Sequence, residues 1–375
     1  MTNFAPAEVF PPGEFVKDAL EARGWTQEDL AFFMGRSLVT VNKIITGKQS
    51  ITAQTAKELA ETFGTSAEYW TNLEAAYRLQ EAPSPDGAVA RRVSLYAAAP
   101  IKEMQKRGWI GRSKNEAELV ANVCRFYGVD TIDDVPRIRV AARQGAETTE
   151  AIAAAQNAWA RRAKQLAAGA WAKPFLKSRM AEAIDQLRRL TEELGEVRHV
   201  PRVLGEAGVR LVVVQHLPRT RMDGAALSDD KGQPLVALSL RYKRLDSFWF
   251  TLFHEIAHIV AGDGEVGDAD IEESGRDSEA EHRANKQAAA WLVPPEALSD
   301  FVLRTAPHYT ARRIRGFARR MGVHPSIILG QLSHLGHLQW NQFTKLRSTD
   351  VRDAVRDTCV YDGWGKTGPT VAVGE

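Results

Sequence analysis

The residues whose types and spacing could do chemistry are His254, Glu255 and His258, in the run FWFTLFHEIAHIVAG from Phe248 to Gly262. Two histidines four positions apart lie on one face of an α-helix, about 5.4 Å apart along its axis, so both imidazoles can reach one cation. Glu255 points about 100° away from His254 around such a helix, so it is not a third ligand. It is placed instead to hold a water beside the cation. Zinc lowers the pKa of that water toward about 7, and a neighbouring carboxylate can take the proton while the hydroxide attacks an amide carbonyl. Leu252, Phe253, Ile256, Ile259 and Val260 supply an apolar stripe that buries the helix against a core.

A zinc of this kind needs another protein ligand. Gly264 stands where an extended motif would place a further histidine, so the ligand must come from a separate element. Ser278 to Leu292 reads as a helix with a serine start signal, ended by Pro294-Pro295. Ala284, Ala288, Trp291 and Leu292 define its packed face, and the helical spacing puts Glu281 on that side. Glu279 and His282 are the competitors.

HEIAH followed by Glu281-x-x-Ala284-Asn285-x-x-Ala288-x-x-Trp291-Leu292-Val293-Pro294 resembles the ImmA/IrrE family of zinc metallo-endopeptidases. The resemblance runs from about Val200 to Pro295. It implies Zn2+ as cofactor, His254, His258 and Glu281 as its ligands, Glu255 as catalytic base, and a zincin-like α+β unit. It also implies a protein substrate, a repressor of the helix-turn-helix class or an antitoxin. One departure is Gln287, where the family usually carries an aromatic residue.

The elements that must position these residues belong to a chain of 375 residues, long enough for two to four domains. A 44% hydrophobic content suffices for several buried cores. The two cysteines, Cys124 and Cys359, lie far apart, which argues for a reducing compartment and against a disulfide framework. No charged-then-apolar leader opens the sequence, and no long uncharged run is present. The expectation is a cytoplasmic protein with no membrane partner. A net charge of +2 says little by itself.

Residues 1–80 carry a second signal. Thr26 caps a helix running to about Met34, Gly35 makes a turn, and Ser37 caps a second helix that ends at Gly47. With Leu30, Ala31, Val41 and Ile44 facing inward, this is helix-turn-helix spacing. Gln27, Arg36, Ser37, Leu38, Thr40, Asn42, Lys43 and Lys48 are the candidate contacts to groove edges and phosphates. The stretch holds seven Lys/Arg against ten Asp/Glu, an unfavourable sum for phosphate affinity. Local placement around the second helix outweighs it. Pro12-Gly13-Glu14, Thr26-Gln27-Glu28-Asp29-Leu30-Ala31, Ile44-x-x-Gly47-Lys48 and Phe63-Gly64-Thr65-Ser66-x-x-Tyr69-Trp70 resemble the HigA-type branch of the XRE repressors. That likeness implies a five-helix, lambda-repressor-like domain that binds double-stranded operator DNA as a homodimer.

Beyond a linker at residues 81–87, EAPSPDG, residues 88–197 read as a helical connector and 198–300 as the peptidase unit. Val209–Leu217 and Leu235–Leu240, with Asp223–Ser228 between them, suggest a short antiparallel sheet ahead of the zinc helix. A sheet edge beside a zinc cleft lets a peptide bind as an added strand. Arg241, Tyr242 and His282 are candidates for oxyanion or substrate contact. Residues 262–281 hold nine acidic side chains and one arginine, whereas 301–347 hold eight Lys/Arg and no Asp/Glu. The basic region, 301–350, resembles another helix-turn-helix, with nucleic-acid contact and packing against the peptidase as its two readings. Residues 351–375 read as a tail.

The fold expected is therefore mainly α with a small α+β zincin-like unit. The function expected is a transcriptional regulator that cleaves a repressor- or antitoxin-type protein, with its own linker as one candidate. The alternative is a HigA-like antitoxin or repressor whose peptidase fold is a sensor or docking module without turnover.

Overall fold

The computed structural model describes residues 9–83, 87–136, 149–262 and 274–362, and of 274–278 the backbone alone. Most of the acidic run at 262–281 and the end of the tail fall outside these residues. The chain divides after Val89 into two compact units.

Among the described residues the first unit folds as α1 (Pro12–Glu21), α2 (Gln27–Phe33), α3 (Leu38–Ile45), α4 (Ala53–Phe63) and α5 (Ala67–Glu81). Each boundary has a local cause. Thr26 and Asp29 form a reciprocal capping box at the start of α2, and Ser37, Thr52 and Ser66 each accept a backbone N–H at the starts of α3, α4 and α5. The α2–α3 turn passes through Gly35 at φ +62°, a conformation glycine adopts without strain. Val16, Leu30, Val41, Ile44, Leu59 and Trp70 meet in one core. Gly13 admits the close approach of α1 to the end of α3, because a Cβ there would stand 2.0 Å from the Ile45 carbonyl oxygen.

The second unit opens with α6 (Ala88–Ala98), α7 (Ile101–Lys106), α8 (Glu116–Tyr127), α9 (Glu150–Ala167), α10 (Met180–Arg189) and α11 (Val200–Ala207). Strands β1 (Arg210–Val214), β2 (Gly224–Ser228) and β3 (Pro234–Leu238) follow, then α12 (Leu245–Ala261) and α13 (Ser274–Leu292). The chain continues through α14 (Pro295–Thr305), α15 (Ala311–Met321), α16 (Pro325–His334), α17 (Thr344–Arg347) and α18 (Arg352–Arg356) to β4 (Val360–Asp362).

The sheet has the order β2-β3-β1-β4 and is mixed, not antiparallel throughout. Within the sheet, among the described residues, only β2 and β3 pair antiparallel, joined by a tight turn in which Asp229 Oδ1 accepts the backbone N–H groups of Lys231 and Gln233. The link from β1 crosses to the outer edge before that hairpin returns. As a result β3 lies parallel to β1, and β4, from near the end of the chain, adds parallel on β1's other side.

β1 and β3 are almost wholly buried because both sheet faces are covered. α12 covers one face and α9 the other. α9 can approach closely because its packed residues are mostly alanines around a fully buried Trp159, whose Nε1 donates to the Val214 carbonyl at 2.8 Å. The described residues between 88 and 197 are mostly helical, and α9 is a layer of the same compact unit as the sheet. The basic tail also packs inward. Ile327, Ile328, Leu329 and Leu332 of α16 join the core against α12, while Arg312, Arg313, Arg315, Arg319 and Arg320 of α15 stay exposed. Buried Arg347 fastens α16 through Nη2, which donates to the Leu329 carbonyl and to Ser333 Oγ. In this geometry the helix that would enter a groove is buried, while the arginines of α15 face solvent.

Candidate metal centre and nucleic-acid surface

α12 is held by its own apolar residues. Phe248, Trp249, Leu252, Phe253 and Ile256 are at most 1% exposed, and the helix ends at Gly262 with φ +83°, a left-handed cap that suits glycine. His254 and Glu255 are buried in that packing. α13 lies along α12, with Ala284, Ala288 and Leu292 buried against it. It begins at Ser274, four residues before Ser278.

This arrangement brings Glu281 to the two histidines. His254 Nε2 and His258 Nε2 are 3.1 Å apart. His254 Nε2 lies 3.3 Å from Glu281 Oε2, and His258 Nε2 lies 3.3 Å from Glu281 Oε1. Zinc bound tetrahedrally at about 2.0–2.1 Å would have ligand atoms roughly 3.3–3.4 Å from one another, so the three separations match a single cation's first shell. The donor set, two imidazoles and a carboxylate, is also one that zinc accepts. Glu281 Oε2 is buried with no well-formed hydrogen bond, a cost that a cation would remove. Burial pushes the Glu281 carboxyl up, but the neighbouring imidazoles of His254 and His258 outweigh it and bring the carboxyl down to about 2. The competitors Glu279 and His282 are exposed, as is Gln287, the departure from the family pattern.

Glu255 faces the sheet side of α12. A Cβ on Gly224 of β2 would stand 2.9 Å from Glu255 Oε1 and 2.8 Å from Thr251 Cγ2, so a glycine backbone lies directly against the carboxylate. Arg241 is committed: Nη1 donates to the Arg221 carbonyl, pairs with Asp223 at 3.5 Å, and the guanidinium stacks on exposed Tyr242. Sequence reasoning missed Gly224, since a glycine in a strand signals a close approach without naming what approaches.

In the first unit Leu38, Asn42 and Lys43 are exposed on α3, and Lys48 follows, also exposed. Asn42 Nδ2 donates to Gln27 Oε1 at 3.4 Å, so the two amides form one surface. Ser37 spends its hydroxyl on the α3 cap and on Thr40 Oγ1 at 2.9 Å. Arg36 forms a two-point ion pair with Glu58 of α4, at 2.5 and 3.2 Å.

A capped five-helix unit with an exposed second helix, joined in one chain to a sheet unit whose long helix carries HExxH against a downstream glutamate, defines a DNA-binding regulator with a metallopeptidase-like domain. Comparison with known families agrees on both parts: residues 16–70 match the helix-turn-helix family and residues 208–333 the IrrE N-terminal-like domain. The second match runs past residue 300 and takes in α14, α15 and nearly all of α16. Among curated proteins the chain is 30% identical over 71 residues, 19% of its length, to the uncharacterized HTH-type transcriptional regulator YddM of Escherichia coli strain K12, covering 76% of that protein. The chain belongs to the helix-turn-helix regulators and carries in addition an IrrE N-terminal-like domain.

Proposed function

We propose that His254, His258 and Glu281 hold a zinc ion and that the chain is a transcriptional regulator with zinc-dependent endopeptidase activity toward a repressor- or antitoxin-type protein. The observation that carries this reading is the trio of nitrogen and oxygen separations, 3.1, 3.3 and 3.3 Å, between side chains of two helices. Zinc bound there supplies Lewis acidity toward a peptide carbonyl and an acidified water. Glu255, next in sequence to one ligand, accepts the proton of the attacking water and returns it to the departing amide nitrogen. β2 is an edge strand among the described residues, and its Gly224 end abuts Glu255. An extended peptide added to that edge would pass the carboxylate. Tyr242 and His282, both exposed, are substrate contacts in this reading.

The helix-turn-helix unit binds operator duplex as a homodimer, with Gln27, Leu38, Thr40, Asn42, Lys43 and Lys48 toward the groove and backbone. The linker at 81–87 separates that unit from the catalytic one and is itself a candidate substrate. A cytoplasmic site of action accords with the finding that, among the described residues, no helix is long and apolar enough to cross a membrane. The test is a chromosomal Glu255→Gln substitution. Promoter activity and the half-life of the candidate repressors should both change; if neither moves, the domain is a sensor or docking module without turnover.

A further inference from the structure

One turn before Glu255 on α12, the chain leaves a small, shallow cleft that is open on one side. Its inner lining is buried Leu240, Phe248 and Thr251, and its outer lining is the partly exposed Ser247, Asp223 and Arg241. Three observations connect it to the candidate base. Ser247, Thr251 and Glu255 follow one another at four-residue intervals on one face of α12. Thr251 and Glu255 both crowd the same point of β2, the place a Cβ on Gly224 would occupy. Leu240 holds φ +49°, a left-handed backbone that a branched side chain adopts at a cost, and such strain clusters at ligand-binding sites.

We propose that this cleft receives a substrate side chain within two positions of the scissile bond and selects one that is short and uncharged: alanine, serine, threonine or valine. The inference rests on the peptidase reading and specifies its substrate. Size follows from the limited, open space. Charge follows from the rim, where Arg241 and Asp223 already neutralise one another, so a charged side chain entering there would lose water and gain no spare partner. Ser247, whose Oγ accepts from Arg244 Nη2, and Thr251 give the lining a polar share that tolerates a small polar side chain as well as a methyl group.

The experiment uses full-length, zinc-loaded protein and a peptide library made by digesting a proteome, with cleaved bonds identified by mass spectrometry. One position within two of the cut should be enriched in the four short residues. Synthetic peptides carrying leucine, phenylalanine, glutamate or lysine there should be cleaved roughly 10- to 100-fold more slowly. Leu240→Ala should shift the preference toward leucine and isoleucine, and Ser247→Leu toward glycine and alanine, with zinc content unchanged in both. A flat profile, or two variants that both repeat the wild-type profile, overturns the proposal. Binding of the same peptides to the Glu255→Gln variant, followed by fluorescence anisotropy, separates the two claims. Selective binding with no cleavage by the wild type overturns the peptidase reading and upholds the cleft. Equal binding of all peptides overturns the cleft and leaves cleavage standing.

Discussion

His254 Nε2 and Glu281 Oε2 stand 3.3 Å apart although they belong to different helices, α12 and α13. A cation held between them would tie the two helices together and so link metal binding to stability. Excess zinc should stabilise the second unit relative to chelator-treated protein by about 2.7 kcal/mol at a zinc concentration a hundredfold above Kd, and raise its thermal midpoint accordingly. Differential scanning calorimetry of the full chain measures this. Coincident traces with zinc and with chelator would exclude the linkage.

Gly224 lies against the carboxylate of Glu255. Its backbone is ordinary strand, so alanine costs nothing in φ/ψ, and the whole effect comes from what the new Cβ meets. Gly224→Ala should displace that carboxylate and lower kcat by about 10- to 100-fold, since misplacement by about an ångström has costs of that order. Zinc content should stay at the wild-type level. A kcat within twofold of wild type would show that the glycine does not position the base.

Arg36 and Glu58 tie α4 to the turn before α3. The hydrogen bond from Arg36 holds the Glu58 carboxyl below its ordinary value, against a smaller opposing effect of burial. A depressed carboxyl adds stability that is present above the unfolded-state pKa, about 4.3, and is lost as pH falls through the folded value. Glu58→Gln should therefore cost up to about 1 kcal/mol at pH 7 and close to nothing near pH 3. Urea unfolding followed by NMR of the buried Trp70 indole reads both values. A cost that is the same at both pH values would contradict the ion-pair account.

The same pair occupies the Arg36 guanidinium, whereas Lys43 is exposed on α3. Lys43→Ala should weaken operator binding and reduce the slope of log K against log salt by about 0.9, the loss of one phosphate contact. Asn42→Ala should cost about 1–3 kcal/mol on the specific site and relax sequence preference. Arg36→Ala should leave the salt slope unchanged. Anisotropy titrations across a salt series test all three; an unaltered slope for Lys43→Ala removes it from the phosphate contacts.

Much of this architecture was legible in local patterns. Thr26, Ser37 and the glycines at 35 and 47 marked α2 and α3, because caps and turns are satisfied within a few residues. The meeting of Glu281 with His254 and His258 was legible because Ala284 and Ala288 revealed which side of α13 is packed. The parallel pairing of β1 with β3 was not, since a strand's apolar run carries no direction. Nor was β4: three residues, Val360–Asp362, gain their place from β1 and from Asp362, which accepts both Trp109 Nε1 and Arg162 Nε on Oδ2. The Arg36–Glu58 pair and the burial of α16 beneath the arginines of α15 likewise depend on partners far away in sequence.

Zinc content tests the central claim most directly. Mass spectrometry of the dialysed full-length protein should find one zinc per chain in the wild type and in Glu255→Gln, and less than about a tenth of that in His258→Ala and Glu281→Ala, because a site losing one of three ligands holds zinc far more weakly. Wild-type protein that retains no zinc after loading, or an Glu281→Ala variant that retains all of it, would contradict the account.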